Sequence, residues 1–104
     1  MFKTATFVLA ALAPSVAAAQ DAHVCTTLGL LAESVMTSRQ EQVPMSRLLD
    51  IMTAGSSDPT ALGLTRAIIM DAYSQPGFLV PANQQRAIAA FRVDVEFACY
   101  EATL

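Results

Sequence analysis

Cys25 and Cys99 are the only cysteines in the chain. They stand near the two ends of everything after residue 20, so a bond between them would close almost all of it into one ring. Whether the bond forms depends on compartment, because disulfides persist in oxidising surroundings and are rare in the cytosol. Redox or zinc chemistry would want a close Cys-x-x-Cys pair or clustered histidines, and the chain has neither.

The compartment is read from residues 1–19, MFKTATFVLAALAPSVAAA: one lysine near the start, an apolar run from Phe7 to Ala13, and small residues at Ala17 and Ala19. This reads as a secretory signal peptide, leaving 20–104 as a single helical domain. The apolar run is far shorter than the roughly 20 residues of a membrane span, and Pro14 interrupts it. The residues before Cys25, Asp-Ala-His-Val, are too polar and bulky for a lipoprotein cleavage site. A periplasmic or secreted protein with a Cys25–Cys99 disulfide is expected, since so small a core commonly needs a staple.

Periodicity and punctuation predict helices throughout. Asp21 can cap a first helix in which Val24, Leu28, Leu31 and Val35 form an apolar stripe with Cys25 on its edge. Val43 precedes a proline, which ends this helix near Gln42, and Pro44 suits the first turn of the next, where Met45, Leu48, Leu49 and Met52 share a face. Gly55 can close that helix. Asp58 and Pro59 open a third, which runs to about Tyr73 with Ala61, Leu64, Ile68, Ile69 and Ala72 inward. Phe78, Leu79 and Val80 are expected to fold back over an open end of the core. A last helix, about Ala82 to Ala102, repeats Ile88, Phe91, Val95, Ala98 and Ala102, with Cys99 on the same side.

The cysteines fix the number of helices. A first helix of about twenty residues is roughly 30 Å long, whereas disulfide Cα atoms lie within about 7 Å. With Cys25 opening the first helix and Cys99 closing the last, the two points share an end of an up-and-down arrangement only when the helix count is even. An all-α, four-helix domain follows, with the disulfide between the start of helix one and the end of helix four.

One stretch, SRQEQVPMSRLLDIM (Ser38 to Met52), crowds charges around the Val-Pro step. As a corner, it uses Arg39 to complement the end of a helix dipole and leaves Arg47 and Asp50 in water. As a site, Arg39, Gln40 and Arg47 would recognise a protein or an anionic ligand from an exposed turn. The chain resembles a group of small exported, functionally uncharacterised proteobacterial and phage-borne helical proteins. The resemblance rests on Cys25, Arg39-Gln40, the Val-Pro-Met-Ser run from Val43 to Ser46, Ala72-Tyr73 and Cys99. Where that group carries a glycine before the Val-Pro step, this chain has Gln42. The resemblance implies no particular activity.

Several function classes are disfavoured. Lys3 is the only lysine, and the remaining cations, Arg39, Arg47, Arg66, Arg86 and Arg92, are dispersed among nine acids. Nucleic-acid binding, which needs a basic face, is not expected. His23 is the only histidine and sits at the mature amino terminus, so no Ser-His-Asp or Cys-His arrangement assembles in the helical body. Asp50, Asp71, Asp94 and Glu96 read as solvated charges rather than a catalytic pair, and Met36, Met45, Met52 and Met70 as core filling rather than soft-metal ligands. Neither an enzyme nor a cofactor is expected.

The leading expectation is an exported protein with a protein partner, as an inhibitor, immunity protein or assembly factor. The alternative is a periplasmic acid-stress chaperone. Its nine acids would lose their charge at low pH, so that self-repulsion loosens the bundle. A minor reading makes Asp21-Ala22-His23 an amino-terminal Cu(II) or Ni(II) site, which requires a mature chain beginning at Asp21.

Overall fold

The computed structural model describes residues 23–103. They form four helices: α1 over residues 23–40, α2 Met45–Thr53, α3 Pro59–Tyr73 and α4 Pro81–Thr103, with no strand among the described residues. The expected leader and the capping role of Asp21 lie outside them. Cys25 and Cys99 are bonded, their Cα atoms 5.4 Å apart. The start of α1 and the end of α4 therefore share one end of the domain, as the parity of four helices requires.

Local chemistry sets the breaks. At the start of α3 the Asp58 side chain accepts from the Thr60 N–H at 3.2 Å, satisfying one of the helix's orphan donors, and Pro59 supplies a preset φ. Pro44 lies just outside α2 rather than in its first turn; its carbonyl accepts from the Leu48 N–H and so starts the helix. Gly55 does not close α2 in a left-handed conformation, because the helix already ends at Ala54 with ordinary right-handed geometry. The Val80 carbonyl accepts from the N–H groups of Asn83 and Gln84 and opens α4.

All four helices feed one core. Phe91, Met36, Ile69, Val35 and Cys25 are its largest fully buried side chains, with Ala32, Leu48, Ile68 and Ala72 around them. Burying each of the large ones contributes about 1.5–3 kcal/mol.

The inward stripe of α1 differs from the expected one. Cys25, Gly29, Ala32 and Met36 are buried on it, whereas Val24 is 51% exposed. The reason is the seam with α4. The disulfide draws Cys25 inward, and at Gly29 a Cβ would overlap the Glu96 side chain, so the helices cross where α1 has no side chain. Arg92 bridges the same seam, donating to Glu33 of α1 at 2.6 Å, and within α4 it also donates to Glu96 at 3.0 Å. Those two hydrogen bonds, Glu96 first, hold its guanidinium above its already high pKa range.

Other expected core positions lie outside. Met45 and Met70 are exposed, so only part of the methionine set fills the interior. Ala61, Leu64, Ala98 and Ala102 are also exposed, since the stripes of α3 and α4 are wider than the surface their neighbours cover. Of the apolar trio in the connector only Phe78 is partly buried. Leu79, 81% exposed, and Val80 face water because the chain has already turned into α4.

Candidate functional site

The Ser38–Met52 corner is built on the end of α1. The Val43 N–H donates to the Ser38 carbonyl and the Gln42 N–H to the Arg39 carbonyl, the paired bonds of a Schellman cap. Such a cap needs one left-handed residue, and Gln42 takes it, with φ 64°. A side chain there costs free energy that glycine does not. Gln42→Gly is expected to stabilise the domain by about 0.5–1 kcal/mol, the relief of strain exceeding glycine's larger unfolded-state entropy. It would appear as a higher urea midpoint at unchanged slope, and a lower midpoint would contradict this account of the turn.

Gln40 is not an exposed recognition residue: it is 3% exposed. Its Nε2 donates to the Pro76 carbonyl at 3.0 Å and lies 3.4 Å from Met36 Sδ, while its Oε1 accepts from the Phe78 N–H at 2.8 Å. The side chain thus binds the α3–α4 connector as a strand partner would. Gln84 adds a second tie, donating from Nε2 to the Phe78 carbonyl at 2.8 Å and the Gln40 carbonyl at 3.3 Å. Arg39 is likewise used inside the molecule. Its Nε donates to the Gln75 carbonyl at 3.1 Å, and its guanidinium lies 5.4 Å from the centre of the Tyr73 ring. The Tyr73 hydroxyl donates to the Val43 carbonyl at 2.6 Å, closing the corner.

Burial raises the Tyr73 pKa and the charge of Arg39 partly opposes the shift. A group whose folded pKa is raised contributes stability below its unfolded pKa and loses it as pH rises through the folded one. The corner should therefore weaken above about pH 10, where a phenol ordinarily ionises. Tyr73→Phe should cost about 1 kcal/mol at neutral pH and flatten this alkaline loss. Denaturation midpoints of both proteins between pH 7 and 11 test it; an equally steep alkaline leg in the variant would assign the loss elsewhere.

Arg47 differs from its two companions. It is exposed and lines a shallow depression of about 560 Å³ with Ser38, Glu41, Val43, Ile51 and Met52. A second depression, about 380 Å³, lies between α3 and α4. Its walls are Leu64, Ala67 and Ile68 on one side and Val95, Ala98 and Ala102 on the other, with Leu28 of α1 also lining it. Among the described residues Asp71 is the only charged one that lines it.

His23 is an exposed residue in the first turn of α1, where its carbonyl accepts from Thr27 Oγ1. Its proposed metal partner Asp21 lies outside the described residues, within which no three His, Cys, Asp or Glu side chains converge. No protein family, characterised protein or solved structure matches this chain. The groove between α3 and α4 escaped sequence reasoning because Ala67, Ala98 and Ala102 have the composition of a tight helix contact. Small residues also leave a channel when the partner helix does not close on them.

Proposed function

We propose that the protein is an exported, non-enzymatic module that binds another protein, in the manner of an inhibitor, an immunity protein or an assembly factor. The observation that supports this reading is the open apolar groove between α3 and α4, on a scaffold whose ends are joined by the Cys25–Cys99 bond. Hydrophobic grooves between helices are a recurring seat for the apolar face of a partner helix. Arg39 and Gln40 serve the corner instead, which leaves Arg47 as the member of the expected trio available to a partner.

The groove is open in the folded protein, so binding needs no acid-driven loosening. That favours a native-state binder over an acid-stress chaperone. Among the described residues no helix is long and apolar enough to cross a membrane, and the disulfide suits an oxidising compartment. Tagged protein purified from the periplasm and culture medium, then sized by light scattering, tests the reading. A stoichiometric complex supports it, and a bare chain in both fractions overturns it.

A further inference from the structure

The groove has an electrostatic signature as well as an apolar lining. Asp71 lines it on α3. On α4, Asp94 and Glu101 stand four residues before and three after Ala98, which places them along the same edge of the helix, and both are exposed. None of the three has an ion-pair partner among the described residues, where Arg92 holds both ion pairs. Nor does a cation lie beside them on these helices: Arg92 is engaged by Glu33 and Glu96, Arg66 leaves α3 about 140° round the axis from Asp71, and Arg86 stands eight residues, about 12 Å, before Asp94 on α4.

Resting on the protein-binding reading above, we infer that this groove receives an apolar helical segment of the partner flanked by lysine or arginine. The lining between Leu64 and Asp71 spans two turns, about 10 Å, which matches two turns of an incoming helix. Alanines on both walls allow its backbone close approach, as helices pack at 8–10 Å when the contact residues are small. The carboxylate rim selects the charge. It attracts a basic flank and repels an acidic one, and the same rim disfavours the acyl chain of an anionic lipid.

The test uses two synthetic amphipathic helical peptides, one of leucine and lysine and one of leucine and glutamate, titrated into the ¹⁵N-labelled exported protein. The Leu-Lys peptide is expected to shift the amides around Ala67, Asp71 and Ala98 and to bind about ten-fold more tightly than the Leu-Glu peptide. The double variant Asp71→Lys, Glu101→Lys should reverse that preference, while Ala98→Phe, at an exposed position, should block both peptides and leave the unbound spectrum dispersed. Equal binding of the two peptides, or shifts centred on Arg47 or Val93 instead, overturns the inference.

A photo-crosslinking residue placed in turn at positions 98, 47 and 93 in the exporting cell separates this inference from the reading beneath it. Adducts joining position 98 to a basic-flanked apolar helix of the partner support it. Adducts from 47 or 93 alone overturn the groove but leave a protein partner standing. No adduct from any position overturns both.

Discussion

Replacing Cys25 and Cys99 by alanine is expected to lower the stability of the domain by about 4 kcal/mol. The bond spans a sequence separation of 74, and closing so long a loop restricts the unfolded chain by about this amount. For a domain of this size the thermal midpoint should fall by roughly 15–30 °C. The loss should also be spatially biased. The α1–α4 seam at the disulfide end would keep the crossing at Gly29, the partly buried Leu28 and Val95, and the half-exposed Arg92–Glu33 ion pair, which contributes little by itself. Hydrogen exchange should therefore quicken first in the opening turns of α1 and the closing turns of α4, ahead of the Gln40 corner. A variant that melts within a few degrees of the parent would mean that the helices alone hold the ends together.

The second large effect concerns Gln40. Gln40→Ala is expected to cost about 3 kcal/mol, because it strips partners from the Phe78 N–H and the Pro76 carbonyl and leaves a void beside Met36. Gln40→Glu separates these contributions, since it preserves shape while removing the donor. Burial should raise the pKa of that introduced carboxyl above its unfolded value. Its neutral form, which regains a donor, is then favoured below the unfolded pKa, and the stability is lost as pH rises through the folded one. Denaturant midpoints at pH 4 and pH 7 should show a smaller deficit relative to the parent at pH 4. Equal deficits at both pH values would place the glutamine's contribution in its shape rather than its hydrogen bonds.

The disulfide and Gln40 mark what the sequence made legible and what it hid. The cysteines, with Asp58, Pro59 and the Val43-Pro44 step, sufficed for the helix count and the joined ends. Those signals are either local or set by covalent reach. Which face of each helix turns inward was harder to read. Val24 and Leu64 have the spacing of core residues yet are exposed, because the crossing at Gly29 and the bond at Cys25 set the rotation of α1 and the helices cover only part of each apolar stripe. Gln40 was further from reach. Its partners lie 36 and 38 residues along the chain, and a lone glutamine at a helix end carries no mark of an approaching connector. Asp71 was visible only as an isolated charge; the structure sets it in the wall of the groove between α3 and α4.

The position of the disulfide also determines how the molecule would carry a mechanical load. Tension applied through the two ends of the chain enters at Cys25 and leaves at Cys99 through the sulfur–sulfur bond, so the segment between them bears none of it. Under oxidising conditions the segment closed by the bond is bypassed by the load and stays folded under tension. Reduced, the same segment could pay out about 250 Å of chain. A single-molecule stretching experiment should find that added length only in the presence of a reductant.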